Sequence, residues 1–120
     1  MHVVIASSPL RYLNNATIDS LNKIMALGAD ISIGDGPADR LVQGYLKYKG
    51  YRRVRVHSAY GKVVVNRGFR TVRGYKSYKA RDRAMCDLAD YALVLWNGKG
   101  EYTAEIALMM GDRAKVISYN

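Results

Sequence analysis

The chain contains almost no cysteine and no long apolar run. Cys86 is the single cysteine among 120 residues, which excludes an internal disulfide. One cysteine and two histidines give no recognisable metal-ligand spacing, so the sequence predicts no metal site. No cofactor is predicted either. No apolar stretch approaches the roughly 20 residues that span a bilayer. These absences predict a cytoplasmic protein that has no membrane partner.

Acidic residues are also scarce, and one stretch has nearly none. Residues 47–83, here called the basic tract, hold 13 of the 19 Lys and Arg residues, whereas Asp82 is their one acid. The net charge of +9 is therefore concentrated in this tract, and such a field attracts anions. Tyrosines lie in and beside the tract, and basic surfaces with aromatic residues are typical of proteins that bind single-stranded nucleic acid. A lid that closes over a polyphosphate would have the same composition.

Apolar periodicity predicts alternating strands and helices along the chain. Strands are expected at residues 2–6, 30–34, 51–57, 91–96 and 114–119. Helices are expected at about residues 15–27, 37–50, 77–89 and 102–110. Residues 58–76 are expected to form a basic loop, in which a short strand at 62–65 is an alternative.

This alternation predicts one α/β domain over residues 1–120. The expected architecture is a Rossmann-like three-layer domain, with a mostly parallel sheet of about five strands and helices on both faces. In such sheets, ligands bind beyond the carboxyl ends of the strands. The functional residues are therefore expected at that edge.

Three turns of small residues follow predicted strands at this edge, at residues 6–8, 34–36 and 97–100. Small residues let the backbone approach a ligand, and the helix that follows offers free N–H groups to a phosphate. Ordinary turn chemistry explains any single one of them equally well. The ligand-binding candidates in these turns are Ser7, Ser8, Gly34, Asp35, Gly36, Gly98, Lys99 and Gly100.

Further candidates flank the three turns. Asp39 can bind a ribose hydroxyl or favour a helix start, and Trp96 can stack on a base or pack against a helix. Arg11, Arg81 and the lysine of the third turn are expected to neutralise phosphate. Glu105, early in the last helix, can act as a nucleophile or base at an anomeric carbon, or complement the helix dipole.

Several motifs, taken in their order along the chain, resemble those of a known superfamily. They are a small turn after the first strand, a Gly-Asp turn followed by an acid, a Gly-Tyr pair, a basic-Asp-x-x-Met helix start, and an Ala-Asp-Tyr entry to an apolar strand that ends in Trp-x-Gly-Lys. The residues that carry them are Ile5-Ala6-Ser7-Ser8, Gly34-Asp35-Gly36-Pro37-Ala38-Asp39, Gly50-Tyr51, Arg81-Asp82-Arg83-Ala84-Met85, Ala89-Asp90-Tyr91 and Trp96-Asn97-Gly98-Lys99. With this ordered set the chain resembles the SLOG superfamily of Rossmann-like proteins, above all its short single-domain bacterial and phage members.

The resemblance implies a protein that senses or sequesters a nucleotide- or NAD-derived small molecule, and it implies a homodimer. SLOG proteins include the LOG nucleotide phosphoribohydrolases and the DNA-processing protein DprA. Similarity to the hydrolases and to nucleoside deoxyribosyltransferases implies, as an alternative, cleavage or exchange of an N-glycosidic bond through Glu105. The chain departs from the pattern at Pro9, where an Arg is common, and at Thr103, which lies two residues before the glutamate instead of three. Single-strand nucleic-acid binding through the basic tract is a third hypothesis.

Overall fold

The structure is a computed structural model, which describes residues 1–119. In this part of the chain, six strands and four α-helices alternate, with one exception between the third and fourth strands. The elements are β1 (His2–Ser7), α1 (Asn15–Ala26), β2 (Asp30–Gly34), α2 (Arg40–Tyr48), β3 (Val54–Ala59), β4 (Arg70–Tyr75), α3 (Tyr78–Leu88), β5 (Tyr91–Trp96), α4 (Glu101–Met110) and β6 (Ala114–Ser118). A short 3₁₀ turn, Pro37–Asp39, precedes α2, and another, Gly111–Arg113, follows α4.

All six strands form one parallel sheet in the order β4-β3-β2-β1-β5-β6. The chain builds outward from β1 to β4 and then returns to place β5 on the other side of β1. The strand order therefore reverses between β1 and β5, and this is the switch point at which open α/β sheets bind ligands. The Rossmann-like α/β fold expected from the sequence is confirmed, with a sixth strand and a sheet that is parallel throughout.

Two apolar cores lie on opposite faces of the sheet, because successive side chains of a strand point to opposite faces. From β1, Val3 and Ile5 enter the core under α1 and α2, whereas Val4 and Ala6 enter the core under α3 and α4. Burying each large aliphatic side chain contributes about 1.5–3 kcal/mol. The continuous apolar runs of the central strands are thus explained by burial on both sides.

The fourth strand corrects the prediction of a basic loop over residues 58–76. The first two of these residues end β3, and residues 70–75 form β4, the edge strand beside it. Residues 60–69, here called the crossover, join the two parallel strands without a helix, and no strand forms at 62–65. The β3 strand also begins three residues later than the predicted start at residue 51.

The crossover is held by hydrogen bonds to the end of β2 and to α2. The Gln43 side chain, fully buried, donates to the carbonyls of Gly34 (2.9 Å) and Val65 (3.1 Å) and accepts from the N–H of Arg67 (3.1 Å). The N–H of Val64 donates to the carboxylate of Asp35 at 3.0 Å. The crossover is therefore fastened beside the carboxyl edge of the sheet.

None of the helices formed by residues 1–119 combines the length and the apolar character that crossing a bilayer requires.

Candidate functional site

The three small-residue turns lie side by side, because they follow β2, β1 and β5, which are neighbours in the sheet. The first and third turns are tied directly. The buried hydroxyl of Ser8 donates to the carbonyl of Lys99 at 2.6 Å and accepts from the N–H of Asn97 at 3.3 Å. The Ser7 hydroxyl donates to the carbonyl of Ser8 at 2.7 Å. The Ser8 hydroxyl therefore ties the first turn to the third, and the Ser7 hydroxyl bonds within its own turn. Both roles are the structural alternative to binding phosphate.

A cavity of about 490 Å³ lies at this edge, a size within the range of small-molecule sites. It is lined by β1, the turn after β2, α3, and the start of α4. The lining residues are Ile5, Ala6, Ser7, Pro9, Gly34, Gly36, Pro37, Ala38, Asp39, Val64, Tyr78, Arg81, Asp82, Met85, Gly100, Tyr102, Thr103 and Ile106.

Arg81, at the cavity wall, forms a buried ionic cluster with two carboxylates. Its Nη1 lies 3.1 Å from Oδ1 of Asp35, and its Nε lies 3.0 Å from Oδ1 of Asp82. All three side chains are less than 10% exposed, so water screens their charges little. The guanidinium is thus compensated within the protein and is not a free cation for a phosphate.

Asp39 adds a third buried carboxylate on the same side of the cavity. Its Oδ2 accepts from the N–H of Gly36 at 3.0 Å. Burial raises the pKa of Asp39 to about 7, although the nearby Arg81 and the Gly36 hydrogen bond act in the opposite direction. The carboxyl group of Asp39 therefore changes its protonation state near neutral pH.

Asp82 has a buried oxygen that lacks a hydrogen-bond partner. Its Oδ1 contacts Arg81, but its Oδ2 has no partner within residues 1–119. Burial raises the pKa of Asp82, and the charge of Glu105 acts in the same direction, whereas Arg81 opposes both. Such unpaired buried oxygens are uncommon and require an explanation.

Gly34 is required where β2 ends, because no side chain fits there. A Cβ at this position would lie 2.8 Å from Oδ2 of Asp39 and 3.3 Å from Cζ of Arg81. The absence of that Cβ lets Asp39 and Arg81 approach each other beside the β2 backbone. Gly34, in the second turn, thus makes room for the carboxylate of Asp39 and the guanidinium of Arg81.

Tyrosines form the rim of the cavity. The rings of Tyr78 and Tyr102, both lining residues, pack edge to face with centroids 5.5 Å apart. Tyr60 packs against Tyr78 in the same manner at 5.1 Å. The guanidinium carbon of Arg81 lies 4.9 Å from the Tyr78 ring centroid. This rim offers aromatic edges and faces to a planar ring.

The amino end of α4 opens into the cavity at Gly100. This glycine has φ of 105° and precedes the helix without any side-chain cap. The first N–H groups of a helix lack intrahelical partners, and they carry the positive end of the helix dipole. The dipole at the start of α4 therefore favours a negative group, and the exposed Glu101 carboxylate in the first turn already supplies part of that charge.

Several predicted site residues do not line the cavity. Glu105 is half-buried on α4, and the neighbours Thr103 and Ile106 contribute to the lining in its place. Trp96 is half-buried at the end of β5, and Arg11 is exposed.

Other predicted residues support the site without lining the cavity. Asp35 holds Arg81 and the crossover, and the Lys99 carbonyl holds Ser8. Gly98 is exposed in the turn, with φ of 89°. Of the predicted residues, the cavity brings together Ser7, Gly34, Gly36, Asp39, Arg81 and Gly100.

Asp82 and the two rim tyrosines are not among the site residues predicted from the sequence. Asp82 directly follows Arg81, and an acid beside a base at the inward face of a helix signals a buried ion pair. The signal for Tyr78 and Tyr102 is their position at the first turn of α3 and α4, where both helices leave the carboxyl edge. Neither signal distinguishes a cavity from ordinary packing.

The basic tract forms an exposed surface around β3 and β4. Of its 13 Lys and Arg residues, only Arg53 and Arg81 form ion pairs within residues 1–119, which leaves eleven without one. Arg81 is the only one of the 13 that is buried. The sheet edge at β4 is therefore strongly positive.

The fold and the cavity together define a Rossmann-like α/β domain with a pocket at the carboxyl edge of its sheet. No family model, no curated protein and no solved structure matches this chain. Within residues 1–119, no three His, Cys, Asp or Glu side chains are grouped so that they could hold a metal ion.

Proposed function

We propose that this protein binds a nucleotide-derived small molecule in the cavity at the carboxyl edge. The observation that carries the proposal is the position of the 490 Å³ cavity beside the switch point of the parallel sheet. Apolar side chains such as Ile5, Met85 and Ile106 form much of its wall, while a few charged groups converge on it. This combination is typical of sites that bind small organic ligands.

Two features of the cavity lining suit different parts of a nucleotide. The tyrosine rim provides rings against which a base stacks or packs edge to face. The uncapped start of α4 at Gly100 provides backbone N–H groups for a phosphate. The resemblance to SLOG proteins supports the same proposal, in which the protein senses or sequesters its ligand. Cytoplasmic location and homodimer formation stay predictions.

A panel of ligands tests this function. Thermal unfolding is measured with the common nucleoside monophosphates and diphosphates, NAD⁺ and ADP-ribose. At 100 times the dissociation constant, a ligand stabilises the folded state by about 2.7 kcal/mol, so at least one compound should raise Tm by several degrees. Release of free base in the same incubations would favour the N-glycosidase alternative, for which Glu105 is the candidate nucleophile. The absence of any Tm shift across the panel would contradict the proposal.

Replacing Gly34 with alanine is expected to weaken binding at least tenfold. The new Cβ would meet the Asp39 carboxylate at 2.8 Å, so Asp39 and Arg81 must move. Gly44→Ala is the matched control, because nothing lies within 4 Å of a Cβ there. Titration calorimetry of both variants with the best compound of the panel measures the effect. Equal affinity of the two variants would show that the ligand binds elsewhere.

We propose a second function, the binding of single-stranded nucleic acid, because eleven cations of the basic tract form no ion pair within residues 1–119. Single-strand binding combines such a surface with aromatic side chains. Tyr48 and Tyr60 are 82% and 64% exposed in this tract and are suited to stack with bases.

The salt dependence of binding to labelled oligo(dT) tests this second function. Fluorescence anisotropy should give a log-log slope of about −0.7 for each phosphate neutralised. The double variant Arg70→Gln, Arg73→Gln, on β4, is expected to make the slope less steep by about 1.4. Lys23→Gln, Lys115→Gln, outside the tract, removes the same charge and should leave the slope unchanged. A flat slope, or equal effects of both double variants, would contradict this function.

A further inference from the structure

The cavity near α3 carries an excess of hydrogen-bond acceptors. Three carboxylates, those of Asp35, Asp39 and Asp82, surround the single guanidinium of Arg81. Asp39 and Asp82 line the cavity, and both are more than nine-tenths buried. Because Oδ2 of Asp82 has no partner within residues 1–119, this part of the site lacks a donor. A ligand that supplies one would relieve the cost of the unpaired oxygen.

We propose that the ligand presents neutral hydroxyl donors to Asp82 and Asp39, and that the site therefore selects ribonucleotides over 2′-deoxyribonucleotides. This inference rests on the proposed nucleotide-binding function and adds the orientation of the ligand. The sugar lies against the carboxylates near α3, and the phosphate lies at the amino end of α4. An ionised carboxylate offers acceptors only, and a protonated one still accepts through its carbonyl oxygen, so hydroxyl donors suit Asp82 and Asp39 in either form.

The electrostatics disfavour the opposite orientation. A phosphate beside Asp39 and Asp82 would face carboxylates whose one guanidinium is already engaged by Asp35 and Asp82. Like charges in a buried site repel strongly because the effective dielectric constant is low. At Gly100, by contrast, no side chain caps the first N–H groups of α4, and such a helix start favours an anion.

The test compares paired ligands on the intact protein. The four 5′-ribonucleoside monophosphates and their 2′-deoxy counterparts are titrated by calorimetry, with inorganic phosphate as a third probe. A site that must hydrogen-bond a hydroxyl rejects the analogue without it, because its own polar group is left unpaired. We expect the ribonucleotide of the best pair to bind at least tenfold more tightly than its deoxy form, and both to bind more tightly than phosphate.

Two substitutions in α3 test whether Asp82 is responsible for the preference for ribonucleotides. Asp82→Asn keeps an oxygen for Arg81 but replaces the unpaired acceptor with a donor, so the ribose preference should fall to less than threefold. Asp87→Asn removes the same charge from an exposed position of the same helix and should keep the full preference. Circular dichroism checks that both variants are folded. If Asp82→Asn does not fold, Asp39→Asn takes its place with the same expectation.

The outcomes separate the inference from the function on which it rests. Equal affinity for the ribo and deoxy forms in the unmodified protein would overturn the inference while nucleotide binding stands. A preference that survives in the folded Asp82→Asn and Asp39→Asn variants would also overturn it. Binding of neither form would remove the proposed function and the inference together.

Discussion

Replacing Arg81 with methionine is expected to lower the free energy of unfolding by about 3–5 kcal/mol. Methionine retains most of the side-chain length but leaves Asp35 and Asp82 as buried carboxylates without a cation. An uncompensated buried charge is far more costly than the loss of an exposed one. Asp35 also accepts a hydrogen bond from the N–H of Val64, so the loss of stability is expected to extend to the crossover. Urea unfolding followed by circular dichroism measures the difference.

A matched control lies two residues further along the same helix. Arg83 is exposed, so Arg83→Met removes the same charge and should change stability by no more than about 0.5 kcal/mol. Combining Arg81→Met with Asp35→Asn removes one of the stranded charges and should recover part of the loss. Arg81→Met within 1 kcal/mol of the unmodified protein would contradict the account of the buried cluster.

Replacing Asp39 with asparagine is expected to remove a large part of the pH dependence of stability. Burial raises the pKa of Asp39 from an unfolded value of 3.8 to about 7. Between these values the folded state binds more protons than the unfolded state, so stability falls as pH rises. The contribution of Asp39 is fully present below about pH 4 and is lost as pH rises through about 7.

The expected size follows from these two pKa values. Between pH 5.5 and pH 8, the unmodified protein should lose about 2 kcal/mol more stability than Asp39→Asn. The groups that face Asp39, namely Arg81, Asp82, Asp35 and the Gly36 N–H, are common to both proteins. Urea unfolding at both pH values gives the comparison. The same change with pH in both proteins would show that Asp39 does not titrate in this window.

Much of the fold could be predicted because its central strands follow simple patterns. The runs at β1 and β5 are apolar throughout, as burial on two faces requires, and glycines or polar caps delimit the helices. The β4 strand could not be found in the same way. It lies at the sheet edge, is only partly buried, and combines two arginines with Gly74. Its strand pairing comes from contact with β3, which local sequence does not encode.

The site could be predicted only to the level of its turns. The order of β2, β1 and β5, which brings the turns together, is tertiary information. The phase of α4 turns Thr103 and Ile106 toward the cavity instead of Glu105, and a shift of one residue would reverse this. Which carboxylates meet Arg81 depends on the packing of α3 over the sheet. The sequence pattern does not give the distances between these carboxylates and the Arg81 guanidinium.

The most direct measurement is a ¹⁵N–¹H correlation titration of the labelled protein with the nucleotide that raises Tm most. If the nucleotide binds in the cavity, the largest shifts are expected at the amides of Ser7, Gly36, Gly100 and Tyr102, which surround it. Shifts confined to the exposed edge at β4, or no shift with millimolar nucleotide, would contradict the claim that this cavity is a binding site.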